Sequence, residues 1–132
     1  MDNKIAHLNM IQAVINRMAG NSFLLKGWSV TLVSALFALA AAKAEIIFAA
    51  LAYFPVFSFW MLDAYFLWQE RLFRALYDQV RGLDDTAIDF SMNTQPVSSK
   101  AGEWISAAFS LTLIIFYGAV IGSILFVTIS MK

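Results

Sequence analysis

Few side chains in this sequence belong to the types that carry out enzymatic chemistry. The 132 residues contain no cysteine and one histidine, His7, which excludes a disulfide framework, a thiolate nucleophile, Cys-containing metal sites and a histidine cluster. We interpret His7 as a surface residue. The sequence also lacks a glycine-rich phosphate loop, a nucleophile elbow and paired catalytic carboxylates. We therefore predict that the protein is not an enzyme and has no cofactor.

The acidic residues between positions 83 and 101 do not follow the pattern of a metal site. Asp84, Asp85 and Asp89 lack the alternating order of a calcium-binding loop. Helix capping and solvation account for these side chains, so the sequence predicts no metal.

Three arginines recur at helical spacing after the second apolar run. Arg71, Arg74 and Arg81 are three and seven residues apart, so they can project from one side of a helix. One interpretation is attraction to anionic lipid headgroups together with pairing to nearby acids. The other is that several subunits pool cations into a basic chamber for a phosphate-rich ligand. The candidate ligand-binding residues are Arg17, Arg71, Arg74, Arg81 and Lys100.

An uncharged polar line lies near the amino terminus. The spacing predicts an amphipathic helix over residues 2–19 that ends at Gly20, with an apolar stripe formed by Ile5, Leu8, Ile11, Ile15 and Met18. This stripe suits packing in a helix bundle better than lying flat on a membrane. On the opposite side, Asn9, Gln12 and Asn16 are candidate pore-lining residues in a ring of subunits, and a solvated helix face is the alternative.

Two charged residues fall within apolar runs. Lys26 opens the first run, and Asp63 lies at a similar depth in the second. An ion pair between them would remove two solitary charges, which are costly in hydrocarbon. A gating or ion-pathway role for Asp63 and simple exposure at the membrane interface are the alternatives.

Composition indicates which elements hold these residues. Hydrophobic residues make up 61% of the chain and charged residues 14%, so polar side chains are too few to cover a water-soluble domain. Each of three apolar runs can cross the roughly 30 Å hydrocarbon core as a helix. We predict a single-domain, all-α membrane protein with three transmembrane helices, an N-terminal amphipathic helix and a long second helix that is kinked at Pro55 and protrudes into the cytoplasm. The predicted segments are the amphipathic helix 2–19, the first span 22–42, the second span with its extension 44–82, the loop 83–101 and the third span 104–129.

The distribution of cations predicts how the chain is oriented in a bacterial inner membrane. Seven of the nine Lys and Arg residues lie on the flank that holds the N-terminus and the loop, and Lys43 and Lys132 lie on the other. Because cytoplasmic flanks carry the excess of Lys and Arg, we expect a cytoplasmic N-terminus and a periplasmic C-terminus. Residues 38–44 are similar to a signal-peptidase site, but the long segment before them and the span directly after them oppose cleavage.

Small residues mark faces for close helix packing, which in lipid depends on small side chains. The first span has Gly27, Thr31, Ser34, Ala38 and Ala42 on one face, and the third has Ser110, Gly118 and Gly122. These faces can meet within one subunit or between subunits.

Three segments carry a resemblance to known proteins. They are HLNMIQ at 7–12, NSFLLKGW at 21–28 and LDAYFLWQERLFR at 62–74, and they resemble a family of small, oligomeric bacterial membrane proteins over most of the chain. More loosely, the chain is similar to the channel subunit of the two-gene Hailong antiphage systems. That resemblance implies a partner nucleotidyltransferase, a nucleotide or oligonucleotide ligand that holds the channel closed, and depolarisation of an infected cell when the channel opens.

These observations lead to two functional hypotheses. The first is a homo-oligomeric inner-membrane channel, a ligand-regulated effector of antiphage defence whose partners are membrane lipid, copies of itself and a phosphate-rich ligand. The second is a non-conducting scaffold or accessory subunit that docks a cytoplasmic partner on the protruding helix. A transporter is disfavoured because the chain has no inverted repeat and few polar groups in its apolar runs.

Overall fold

The computed structural model describes residues 2–132 as a set of packed helices. The helices are α1 (Asp2–Lys43), α2 (Ile46–Ala50), α3 (Tyr53–Arg81), α4 (Ser98–Ala101), α5 (Trp104–Ala108) and α6 (Leu111–Ser130), with single 3-10 turns at Asp85–Ala87 and Gln95–Val97. Three stretches are long and apolar enough to cross a membrane, namely Asp2–Lys43, Ile46–Arg81 and Leu111–Ser130. The predicted all-α architecture with three such helices is therefore confirmed.

Helix α1 is continuous, so the predicted helix end at Gly20 is wrong. Its 42 residues extend about 63 Å, twice the length needed for one span. A glycine ends a helix most readily with a positive φ, and among the described glycines only Gly102 has one. Both halves of α1 pack on other helices, which outweighs the cost of about 0.5–1 kcal/mol for a glycine in a helix interior.

The second predicted span, 44–82, is divided by a turn at Leu51 and Ala52, which separates α2 from α3. The cause is Pro55, because a proline ring clashes with the carbonyl four residues earlier, here that of Leu51. That carbonyl instead accepts a 3.3 Å hydrogen bond from the N–H of Phe54. The predicted irregularity is thus present, one turn before the proline. Helix α3 ends at Arg81 with Gly82 as its cap, as the sequence predicted.

The third predicted span, 104–129, is also divided, because α5 ends at Ala108 and α6 begins only at Leu111. Ser110, the residue before α6, has an extended backbone, with φ −62° and ψ 154°, and its side chain makes no capping hydrogen bond. The carbonyl of Ala108, left without a helical partner, accepts a 2.9 Å hydrogen bond from Nε1 of Trp60. The third apolar helix is therefore α6 alone, which at about 30 Å still matches the hydrocarbon core.

The core consists of two clusters along the antiparallel pair α1 and α3. The first lies among the apolar helices and contains Val33, Ala52, Val56, Ala64, Leu113, Tyr117 and Ile124. The second lies among the remaining half of α1, the end of α3 and the loop, and contains Ile11, Ile15, Ala75, Leu76, Val80 and Val97. Ile11 and Ile15 of the predicted amphipathic stripe therefore pack in the bundle, with Leu8 against them, whereas Ile5 is 51% exposed.

Large apolar side chains cover much of the outer surface. Phe23, Phe54 and Phe126 on the three long helices are 77%, 79% and 73% exposed. Such extensive apolar exposure is unstable in water and marks a surface that contacts lipid or another protein. The fold is therefore compatible with a multi-pass membrane protein.

The turn between α4 and α5 depends on Gly102, whose φ of 74° and ψ of −166° belong to a region open almost only to glycine. We expect Gly102→Ala to lower the free energy of unfolding by about 1–3 kcal/mol. Gly82→Ala is the matched control, since Gly82 has a right-handed φ of −86° and a Cβ there would meet only the Gln79 carbonyl oxygen at 3.6 Å. Chemical unfolding in mild detergent measures both, and equal losses would contradict this account of the turn.

Candidate functional site

A buried ion pair joins α1 to α3. Nζ of Lys26 lies 2.6 Å from Oδ2 of Asp63, with the Asp63 side chain fully buried and that of Lys26 18% exposed. This is the ion pair expected from the sequence. The hydroxyl of Ser22, one turn before Lys26, donates to Oδ1 of Asp63 and accepts a 2.9 Å hydrogen bond from Lys26. Ser22 and Lys26 share a face because they are four residues apart on one helix.

Helix α6 contributes a third member to this cluster. The Tyr117 hydroxyl, fully buried, donates to Oδ2 of Asp63 at 2.9 Å. Its ring stacks on Trp60, with centroids 6.0 Å apart, and Nζ of Lys26 lies 5.8 Å from the Phe116 ring centroid. Helices α1 and α6 therefore both donate hydrogen bonds to one carboxylate on α3, and a structural role is the better account of Asp63.

Sequence reasoning missed Ser22 and Tyr117 as members of this cluster. A signal was present for each, since Ser22 lies one helical turn from Lys26 and Tyr117 is the single phenol in the third apolar run. A buried carboxylate needs several hydrogen-bond donors, so the nearest hydroxyl-bearing residues were the candidates.

A recess of about 230 Å³ opens onto the ion pair between α1, α3 and the start of α6. Its lining includes Ser22, Lys26, Glu70 and Thr112. Of the two residues of the ion pair, Lys26 is therefore the one that remains accessible from this recess.

The predicted polar line and the predicted small-residue face of α1 lie on the same side of the helix. We define the α1 stripe as Asn9, Gln12, Asn16, Gly20, Gly27, Thr31, Ser34 and Ala38, all exposed. With about 3.6 residues per turn in an uninterrupted helix, these positions are opposite to the buried face formed by His7, Ile11, Ile15, Ser29, Val33 and Ala40. Phe23 is a large apolar residue on the stripe, between its polar half and its small-residue half.

Within the polar half of the stripe, the amide of Gln12 donates to Oδ1 of Asn16 at 3.0 Å. Within the other half, the Thr31 hydroxyl bonds to the Gly27 carbonyl at 2.9 Å. The stripe thus exposes polar groups along most of its length, and other groups of α1 satisfy part of their hydrogen-bonding capacity.

The small-residue faces of α1 and α6 do not meet within the subunit. A Cβ added at Gly27, Gly118 or Gly122 would find no atom within 4 Å apart from its own helix. Ser34 and Ala38 are exposed as well, whereas Ser110 is half-buried at the start of α6. The sequence left open whether these faces meet within one subunit or between subunits. For the three glycines, packing within one subunit is therefore wrong.

Three of the five candidate ligand-binding cations share one concave surface. We define the basic recess by its lining, Arg71, Arg74, Ala75, Asp78, Lys100 and Ala101, around a volume of about 370 Å³. Nε of Arg74 lies 3.5 Å from Oε2 of Glu70. Arg81 lies outside the recess and pairs with Asp78 at 3.5 Å, and Arg17 is exposed on α1.

His7 is buried, so its interpretation as a surface residue is wrong. The side chain is 1% exposed, its Nε2–H donates to the Ser91 carbonyl at 2.8 Å, and its ring packs near Phe90. The loop after α3 folds back over α1, which no local pattern around His7 indicates. Asp85 in this loop accepts a 3.0 Å hydrogen bond from the backbone N–H of Lys4 at the start of α1, as the capping interpretation predicted.

Over residues 2–132, no three His, Cys, Asp or Glu side chains are grouped closely enough to hold a metal ion. In comparisons with protein-family models, curated proteins and solved structures, no match to this chain was found.

Proposed function

We propose that this protein is a homo-oligomeric channel of the bacterial inner membrane, with a cytoplasmic N-terminus and a periplasmic C-terminus, in which α1 of every subunit faces a central axis. The α1 stripe is the observation that carries this proposal. Within the first span, a subunit surrounded by lipid would gain nothing from exposing Gly27, Thr31 and Ser34 on one side of α1, because lipid solvates neither polar side chains nor exposed backbone.

Symmetry explains how such a face is used. Subunits of a closed ring present the same helix to the axis, so repeated copies of Asn9, Gln12 and Asn16 would surround a water-filled path. Through the membrane the same path would be lined by Gly27, Thr31, Ser34 and Ala38, which are exposed in the subunit and whose short side chains leave room for water at the axis. Phe23, at the boundary between these halves, is placed to form a hydrophobic constriction, which closes a pore by excluding water.

The open glycine faces support assembly between subunits. Gly118 and Gly122 on α6 leave their surroundings empty in one subunit, and close backbone approach is the use that membrane proteins make of this spacing. In the assembly we propose, α6 contacts a neighbouring subunit while α1 contacts the axis.

Regulation is proposed at the basic recess, where a phosphate-bearing ligand would bind Arg71, Arg74 and Lys100. In the antiphage setting implied by the sequence resemblance, a partner nucleotidyltransferase would supply that ligand. Its loss would open the channel and depolarise the cell.

The scaffold hypothesis is supported less well. It requires an apolar surface on the protruding part of α3, but Leu72, Leu76 and Val80 are buried within the bundle. A soluble partner would therefore meet mainly polar side chains on this part of the helix.

Mass and conductance test the proposal together. In mild detergent we expect a particle whose mass is several times that of the 14.7 kDa subunit. In planar bilayers we expect a current that falls by at least tenfold in the double variant Gln12→Leu with Asn16→Leu. The reason is that apolar side chains would exclude water from the path. Gln79→Leu, an exposed position on α3, is the control and keeps the current. A monomeric mass, or equal currents in all three proteins, would overturn the proposal.

A further inference from the structure

The basic recess adjoins a groove that becomes apolar along the same side of α3. A second pocket is lined by Trp68, Ser98, Ser99, Gly102, Glu103 and Trp104. It adjoins the recess because Lys100 and Ala101 of the recess lie in the chain between Ser99 and Gly102. Trp68 and Trp104 also line a neighbouring pocket with Met61. These two pockets thus share walls, and the recess meets them at the segment 98–102, so together they form a path from the basic recess toward the apolar helices.

The far part of this groove is entirely apolar. A pocket of about 330 Å³ lies between α3 and α5, with Trp60, Met61, Trp104, Ile105 and Ala108 among its lining residues. Positions 57, 60, 61, 64, 68 and 71 of a continuous helix fall on one side, so the apolar groove and Arg71 lie on one face of α3.

Tryptophan side chains fix the walls of the groove. Nε1 of Trp68 donates to the Gly102 carbonyl at 3.2 Å, and Nε1 of Trp60 donates to the Ala108 carbonyl at 2.9 Å. Tryptophans with one apolar side and one bonded N–H are typical of the membrane–water interface. Beyond Trp68 and Trp104 the lining changes from basic and polar residues to entirely apolar ones, the same order in which a lipid changes from headgroup to acyl chain.

We infer that this groove is a binding site for an anionic glycerophospholipid, whose phosphate contacts Arg71, Arg74 and Lys100 and whose acyl chain lies along Trp104 and Met61 toward Ala108. The inference rests on the membrane location in the proposed function, and it assigns the basic recess to a lipid phosphate in place of the soluble nucleotide ligand named there. A freely soluble phosphate ligand would use the cations alone, whereas a phospholipid accounts for both the cations and the apolar groove that adjoins them.

The charge of the recess favours an anionic headgroup over a zwitterionic one. Three cations and one acid, Asp78, line it. Asp78 is paired with Arg81 and Arg74 with Glu70, so the recess together with these partners keeps a positive net charge. A choline headgroup would bring its own positive charge toward these cations, while a glycerol headgroup carries no positive charge.

Lipid retention by the purified full-length protein tests this inference. We expect dioleoyl phosphatidylglycerol to bind at least tenfold more tightly than dioleoyl phosphatidylcholine, measured by native mass spectrometry. In Arg71→Gln with Lys100→Gln the affinity for phosphatidylglycerol should fall about 25-fold, at about fivefold for each cation removed. The control Lys4→Gln with Lys43→Gln also removes two cations, both outside the recess, and retains the affinity. If the double variant fails to fold, the single variant Lys100→Gln, at an exposed position, replaces it. Its affinity for phosphatidylglycerol should fall about fivefold.

Two further ligands distinguish the source of the phosphate. Glycerophosphoglycerol, which has the headgroup and no chains, and an oligonucleotide should each bind at least tenfold more weakly than the lipid. Binding of either ligand as tight as that of the lipid would overturn the inference in favour of a soluble ligand, and equal binding of the two dioleoyl lipids would overturn it outright. Because retention is measured without current, failure here leaves the channel proposal standing, and absence of current leaves this site standing.

Discussion

Replacing Asp63 with leucine is expected to lower the free energy of unfolding by about 3–5 kcal/mol, the cost of leaving one partner of a buried ion pair without its counter-charge. The carboxylate of Asp63 is fully buried, with Lys26, Ser22 and Tyr117 all bonded to it. Its removal leaves the ammonium group without its ion-pair partner and takes the carboxylate acceptor from two hydroxyls, of which Tyr117 keeps only the Phe59 carbonyl at 3.4 Å. Because the three donors come from α1 and α6, the loss should loosen all three long helices together.

The double variant Lys26→Met with Asp63→Leu provides the decisive comparison. Replacing both charges with apolar side chains removes the solitary charge, so the double variant should be more stable than Asp63→Leu alone. Lys43→Met, at the exposed end of α1, should change stability little. Unfolding by SDS in mixed micelles, followed by circular dichroism, measures these variants. The single variant Lys26→Met completes the comparison. If the double variant loses as much unfolding free energy as Lys26→Met and Asp63→Leu lose in sum, the two charges do not stabilise each other.

The ion pair was predictable because its signal is local and strong. A charge inside an apolar run is so costly that it requires a partner, and Lys26 and Asp63 lie at matching depths in adjacent antiparallel spans. The end of α3 near Gly82 and the irregularity before Pro55 were also predictable, since both depend on backbone properties of single residues.

Features that depend on distant contacts were not predictable. Glycine is the residue type that most often follows a helix end. Helix α1 nevertheless continues through Gly20, because both halves of the helix pack in the bundle. The break between α5 and α6 depends on Trp60, almost fifty residues earlier in the chain, which satisfies the Ala108 carbonyl. The burial of His7 depends on a loop more than eighty residues away.

The continuity of α1 changes the candidate site as well as the fold. With a break at Gly20, the polar line near Asn9 and the small residues near Ser34 would be unrelated surfaces of two helices. With one uninterrupted helix they form a single stripe, and a single stripe can follow one axis from end to end. The channel proposal therefore depends on a feature that the sequence pattern opposed.

Water access along the α1 stripe has the second large expected effect. A thiol reacts with a charged methanethiosulfonate only where water reaches it, because the thiolate is the reactive form and hydrocarbon suppresses ionisation. In a channel lined by α1, Ser34→Cys should therefore react rapidly, and the bulky cationic adduct should abolish more than nine-tenths of the current. The natural chain has no cysteine, so the unmodified protein supplies a background of zero.

The most direct test compares Ser34→Cys with Leu32→Cys in the same bilayer recording. Leu32 lies on the same helix two residues earlier, 37% exposed and on the opposite side from the stripe. We predict that the charged reagent blocks the current of Ser34→Cys and leaves that of Leu32→Cys unchanged. Equal block of both, or block of Leu32→Cys alone, would contradict a conduit lined by the α1 stripe.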